Sequence, residues 1–119
     1  MFEVVYISPT TKNAVKFIND TEDRLKNLGI EDFKLDKRNL RIETEKYIIS
    51  VISLSGSMIG RSYGKAKYYI DGVTSYWGYD TAEIFEKACT KLKDIKSRFK
   101  RGTKEISIFE LVDILSEVD

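Results

Sequence analysis

The chain has no histidine, one cysteine and one proline among its 119 residues. Triads that use histidine as a base are therefore excluded, and one chain cannot assemble a zinc site of the Cys/His type. The lone Cys89 excludes a disulfide within the chain, and residues 1–3 do not begin the basic, apolar and small pattern of a signal peptide. These absences favour a reducing, cytoplasmic setting.

Long hydrophobic runs are also lacking, and no run approaches the roughly 20 apolar residues that a membrane-spanning helix requires. The composition is 42% hydrophobic and 33% charged, which is typical of a globular protein. A chain of this length builds one modest core and is too short for two. The sequence predicts a single domain over residues 1–119 that does not enter a membrane.

The formal net charge of +1 hides an uneven distribution. Residues 87–104 carry eight basic side chains and one acidic one, whereas residues 105–119 carry five acids and no base. One interpretation is a solvated helix face that the acidic tail partly neutralises. The other is a nucleic-acid-binding surface that contacts phosphates. Its candidate residues are Lys93, Lys96, Lys100 and Arg101.

The first half of the chain predicts a strand, a helix and a hairpin. Residues 2–7 are apolar and β-branched, and Ser8 and Pro9 are predicted as the N-cap and the first position of the helix. The apolar stripe of that helix is Ala14, Phe17, Ile18, Thr21, Leu25 and Leu28. Residues 40–43 and 47–54 then predict an antiparallel hairpin, whose second arm is apolar on both faces and therefore internal.

The second half predicts one strand and two helices. Residues 66–70 read as a short strand, and Asp80 with Glu83 resembles the capping box of a helix of about 22 residues. The apolar stripe of this helix is Phe85, Ala88, Cys89, Leu92, Ile95 and Phe99. Ser107 and Glu110 repeat the capping box before a short C-terminal helix. The order β-α-β-β-β-α-α predicts an α/β or α+β domain with a small mixed sheet of about four strands.

Residues 54–65 form the most unusual stretch, with glycines at positions 56, 60 and 64. Glycine lets backbone N–H groups approach a phosphate, and Arg61 and Lys65 would add positive charge. The glycine spacing does not match the phosphate-loop pattern, and no serine or threonine follows Lys65. The stretch is either a connection between strands or a loop that binds an anion or a partner, with Ser57, Arg61 and Lys65 as candidates.

Six aromatic residues fall within residues 63–79: Tyr63, Tyr68, Tyr69, Tyr76, Trp77 and Tyr79. They could stack the bases of a single nucleic-acid strand, form a protein-interface hot spot, or pack into the core and against the next helix. We expect at least one ring to remain exposed, and we take Tyr63, Tyr76 and Trp77 as candidate contacts.

Asp71 stands at the predicted end of a strand. In α/β proteins this position often carries a functional carboxylate, although Asp followed by Gly also forms an ordinary turn.

The order of segments resembles the middle of the RecA-like ATPase core of helicases and viral terminases. Residues 4–10, Val-Val-Tyr-Ile-Ser-Pro-Thr, resemble the strand and turn that follow the phosphate-loop helix in that family. The hairpin at 40–54 and the segment 68–71 resemble its β-hairpin and the acidic strand motif that holds Mg²⁺. The phosphate loop is missing and Gly72 replaces the expected glutamate, so the resemblance implies a core retained for binding rather than an ATPase.

The chain is also similar in style to small bacteriophage accessory proteins. We therefore predict a non-enzymatic, phage-encoded binding protein that modulates or inhibits a host or phage protein through the loop 55–65 and the aromatic segment 63–79. No cofactor and no metal are expected. The open alternatives are nucleic-acid binding by the basic segment, and a nucleotide or phosphate site built by the Gly-rich loop with Asp71. A homodimer is also left open.

Overall fold

A computed structural model describes residues 1–55 and 65–117, which form six strands and three helices. In chain order these are β1 (Phe2–Ser8), α1 (Thr11–Asn27), β2 (Lys34–Asp36), β3 (Arg41–Glu43), β4 (Tyr47–Ser53), β5 (Ala66–Asp71), α2 (Ala82–Ser97), β6 (Lys104–Glu105) and α3 (Ile108–Glu117). The predicted α/β class is confirmed, and so is the antiparallel pairing of β3 with β4.

The six strands form one mixed sheet in the order β2-β3-β4-β1-β5-β6. β1 lies at the centre and runs parallel to both β4 and β5, and β6 runs parallel to β5. β2 and β3 pair antiparallel and extend the sheet beyond β4. The carboxyl ends of β4, β1, β5 and β6 consequently meet at one edge of the sheet.

The prediction of about four strands is too few, because it lacks β2 and β6. Both lie at the margins of the sheet and are only three and two residues long. Both residues of β6 are exposed, and β2 alternates exposed and half-buried positions. Strands this short do not show an alternating apolar pattern in the sequence. Pairing with the neighbouring strands determines their position.

Helices cover both faces of the sheet. Successive side chains of β1 point to opposite faces, so Val4 and Tyr6 join one core while Val5 and Ile7 join the other. α1 and α3 pack on the face of Tyr6, and α2 packs on the opposite face. In the described part of the chain, no helix is long and apolar enough to cross a bilayer.

The start of α1 differs from the prediction. β1 continues through Ser8, and Thr10 is the N-cap, accepting a hydrogen bond at 3.0 Å from the backbone N–H of Asn13. Pro9 is buried in the connection between β1 and α1. Because it precedes the N-cap, it is not the first residue of the helix. The hydroxyl of Ser8 donates to the carbonyl of Thr10 at 2.6 Å and tightens this turn.

The other two helices confirm one prediction and correct another. The capping box of α3 is confirmed, since Ser107 and Glu110 exchange hydrogen bonds of 3.1 Å. α2 begins after Thr81 rather than Asp80 and has 16 residues. Phe99 therefore lies beyond the helix, where it stacks on Tyr69 with the ring centroids 4.9 Å apart.

Candidate functional site

Asp71, the last residue of β5, organises the segment that leads to α2. Its carboxylate accepts hydrogen bonds from the backbone N–H groups of Val73 at 2.8 Å and Thr74 at 3.0 Å, and from the Thr74 hydroxyl at 2.7 Å. Burial opposes ionisation, but the bonds from Thr74 and Val73 and the charge of Lys96 outweigh it and lower the pKa of Asp71. The ionised carboxylate thus fixes the start of residues 72–81.

Lys96 of α2 bridges Asp71 and Glu105. Its Nζ lies 3.4 Å from Asp71 Oδ2 and 3.2 Å from Glu105 Oε1, and 5.8 Å from the ring centroid of Tyr69. Burial alone would lower the pKa of Lys96, but the two carboxylates raise it overall. Lys96 is half-buried in this network.

The other predicted nucleic-acid contacts differ from Lys96 in their surroundings, because Lys93, Lys100 and Arg101 are exposed. The four cations therefore do not form one open surface. Of the four predicted contacts, Lys93, Lys100 and Arg101 are the ones open to a phosphate backbone.

An aromatic groove of about 450 Å³ lies between the segment after β5 and the start of α2. Its lining residues are Thr74, Tyr76, Trp77, Tyr79, Asp80, Thr81, Ala82 and Phe85. The side chain of Trp77 is 95% exposed, which confirms that at least one ring remains in solvent.

The rings around Trp77 are held in place. The hydroxyl of Tyr79 donates to the carbonyl of Val73 at 3.0 Å, and Val73 is fully buried. The Tyr79 ring meets Tyr76 edge-on at 4.9 Å and Phe85 at 5.4 Å between centroids. Tyr76 folds over Gly78 so closely that a Cβ there would collide with the Tyr76 ring and hydroxyl. These contacts within the chain mean that the groove is preformed in the free protein.

A second cavity, of about 520 Å³, opens at the carboxyl ends of β1, β5 and β6. We call it the switch-point crevice. It is lined by Tyr6, Ile70, Asp71, Gly72, Ser75 and residues 105–110. Asp71 lies between the two cavities. It lines the crevice, and its carboxylate accepts a hydrogen bond from Thr74, which lines the aromatic groove.

The predicted site residues divide into three groups. Asp71, Tyr76 and Trp77 lie together at the carboxyl edge of the sheet. Ser57, Arg61 and Tyr63 lie outside the described residues, and their role stays a prediction. Lys65 precedes β5 at the opposite edge, about 20 Å from Asp71 along a strand of six residues, so these two side chains do not meet at one phosphate.

Sequence reasoning missed three residues of these cavities. Phe85 was read only as part of the α2 stripe, although it is half-buried and lines the aromatic groove. Phe109 is 85% exposed, because it lies off the face of α3 that buries Leu111 and Leu115. Tyr6 gave no signal, because a tyrosine in an apolar run looks like an ordinary core residue.

Comparison of the chain with family models, with curated proteins and with solved structures gives no match. The RecA-like resemblance and the phage origin therefore stay predictions. Among the described residues, no cluster of three or more His, Cys, Asp or Glu side chains could hold a metal ion.

Proposed function

We propose that this chain is a non-enzymatic binding protein that docks a protein partner on the aromatic groove. The observation that carries the proposal is Trp77, whose side chain is 95% exposed beside rings that are already fixed. An exposed indole adds almost nothing to folding, whereas its burial by a partner releases a large apolar area. Trp and Tyr are also enriched among the residues that dominate interface energies.

The chemistry of the groove favours a partner with a basic side chain. Among the described residues that line the groove, only Asp80 is charged. Glu83, in the first turn of α2, is exposed but already pairs with Lys87 at 3.5 Å. A lysine or arginine of the partner could pair with Asp80 and lie over an aromatic face, an arrangement worth about 0.5 to 2 kcal/mol.

The preformed groove fits a modulator or inhibitor that acts by covering a surface of its partner. Tyr76 and Tyr79 pay little conformational entropy on binding, because contacts with Gly78, Val73 and Phe85 already restrict them. Such a protein needs no catalytic group of its own.

Capture from a nuclease-treated bacterial lysate tests this proposal, with quantification by mass spectrometry. The baits are the tagged wild-type chain, Trp77→Ala, and Phe109→Ala as a matched control that removes an exposed ring elsewhere. We expect one protein at stoichiometric yield with wild type and Phe109→Ala, and its loss with Trp77→Ala. All three baits should melt at nearly the same temperature.

Undiminished capture of the same protein by Trp77→Ala would overturn the proposal. Capture that occurs in a parallel untreated lysate and disappears with nuclease would instead support the nucleic-acid alternative. Asp80→Asn provides a finer test, because loss of one carboxylate should weaken the complex about threefold to tenfold and reduce its dependence on salt.

A further inference from the structure

The switch-point crevice lies where helices leave the sheet on opposite sides. α1 follows β1 on the face of Tyr6, whereas α2 follows the adjacent β5 on the other face. α3, which follows β6, returns to the face of Tyr6. The crevice lies beside the point where the chain leaves β5, next to the start of α3, and ligands of open α/β sheets bind in crevices of this topology.

The hydroxyl of Tyr6 gives the crevice a polar group that is not bonded to any described residue. Tyr6 is only 8% exposed, its ring stacks on Phe17 at 4.0 Å, and it lines the crevice. Its hydroxyl forms no hydrogen bond with any described residue, and because the oxygen is not fully buried it is open to the crevice. Burial, with the nearby charge of Asp71, raises the pKa of Tyr6, so the phenol is protonated at neutral pH.

The backbone of Gly72 packs closely against the Tyr6 hydroxyl. A Cβ at Gly72 would collide with the Tyr6 hydroxyl and with the carbonyl oxygen of Ile7. The N–H of Gly72 donates to that carbonyl at 2.9 Å, so the glycine backbone cannot move away without breaking the pairing with β1. The Tyr6 hydroxyl therefore packs against a backbone segment whose position is fixed by the hydrogen bond to β1.

The walls of the crevice are acidic. Asp71, Glu105 and Glu110 line it, and no lysine or arginine is among its described lining residues. Glu110 uses Oε1 to cap α3 at the N–H of Ser107, which leaves Oε2 for a further donor. Lys96 partly neutralises Asp71 and Glu105 from the α2 side. A phosphate would meet repulsion here, whereas a positively charged ligand would not.

We propose that the switch-point crevice binds a small organic cation that carries a primary ammonium or guanidinium group. The cationic N–H groups donate to the Tyr6 hydroxyl and to the free oxygen of Glu110. The exposed ring of Phe109 at the rim covers the apolar part of the ligand. The volume of about 520 Å³ lies within the range of pockets for small molecules. This site is separate from the aromatic groove and does not depend on it.

A titration of the ¹⁵N-labelled full chain with agmatine, followed by amide chemical shifts, tests the proposal. Agmatine carries both cationic groups on one short chain. We expect saturable shifts at residues 70–72 and 105–110. Tyr6→Phe, which keeps the ring stack on Phe17, should weaken binding about tenfold, the effect of one hydrogen bond to a charged group. Glu110→Gln should weaken it similarly while glutamine preserves the capping box.

Glu45→Gln is the matched control, because it removes the same charge at an exposed turn before β4, at the opposite edge of the sheet. Its affinity for agmatine should equal that of the wild-type chain. The proposal is overturned if agmatine causes no saturable shift at these amides up to about 10 mM, a weak-affinity limit. It is equally overturned if Tyr6→Phe binds as well as wild type, or if inorganic phosphate shifts the same amides in place of agmatine.

Discussion

The aromatic rings of this protein are used in two ways. Inside, Tyr6 and Phe17 stack nearly parallel, with centroids 4.0 Å apart, and fill the space between the sheet and α1. Outside, Trp77 and Phe109 are 95% and 85% exposed and bury almost nothing. The contrast separates the rings on which folding depends from those available to a partner.

Because the interior rings and the surface rings are different residues, substitutions should affect stability and partner binding separately. Replacing an interior ring should lower the free energy of unfolding, and replacing a surface ring should not.

Phe17→Ala should cost about 3 to 5 kcal/mol, because it removes a ring that is 4% exposed and leaves a cavity beside Tyr6. Trp77→Ala should change the free energy of unfolding by less than about 0.5 kcal/mol. Urea denaturation followed by circular dichroism measures both values. Equal losses in the two variants would contradict the division between interior and surface rings.

Gly72→Ala should cost about 1 to 3 kcal/mol, since the new methyl group meets the ring of Tyr6 and the carbonyl of Ile7, two buried residues of β1. The double variant with Tyr6→Phe should recover only part of this loss, because the carbonyl and the ring remain. Thermal unfolding of the three variants measures the effect. A double variant as stable as wild type would show that the hydroxyl alone sets the limit.

The stability of the fold should decrease in acid through Asp71. Its folded pKa lies below the ordinary value of 3.8, so its contribution is present above that pH and is lost as the pH falls through the lowered folded pKa. Asp71→Asn should flatten this part of the curve, which urea denaturation between about pH 2 and pH 6 measures. An unchanged acid slope in Asp71→Asn would show that Thr74 and Lys96 do not stabilise the carboxylate.

Gly78→Ala should have only a small effect on stability, below about 1 kcal/mol. Here the added methyl group meets the outer end of Tyr76, a half-buried side chain that the methyl group would displace from its present position at small cost. Binding of the captured partner should nevertheless weaken, because the groove loses its preformed wall. Titration calorimetry with that partner measures the change, and full affinity in Gly78→Ala would argue against preorganisation of the groove.

Much of the fold could be predicted, because the central elements carry strong patterns. The apolar residues of β1 and both faces of β4 marked internal strands, and the Ser107–Glu110 pair marked the start of α3. The margins could not be predicted, because β2 and β6 are placed by pairing and not by their own residues. The start of α1 was misplaced since Pro9 suits the first turn of a helix, but Thr10 supplies the capping oxygen.

The candidate site was predicted in part. Asp71 and Trp77 were singled out by position and by residue type, and both lie at the carboxyl edge. Tyr6 could not be found in this way, because its unpartnered hydroxyl becomes evident only when β1 and β5 pair and Gly72 comes beneath it. Its importance is a property of the assembled sheet and not of the local sequence.

The most direct test of the account uses Trp77 itself, because it is the only tryptophan of the chain. Labelled with fluorotryptophan, the chain gives one fluorine resonance that unlabelled partner proteins do not obscure. We predict the chemical shift and solvent sensitivity of a water-exposed indole in the free protein, and a shifted, solvent-protected resonance once the captured partner is added. A resonance that is already protected in the free protein, or that stays unchanged in the complex, would contradict the proposal that the aromatic groove is the docking surface.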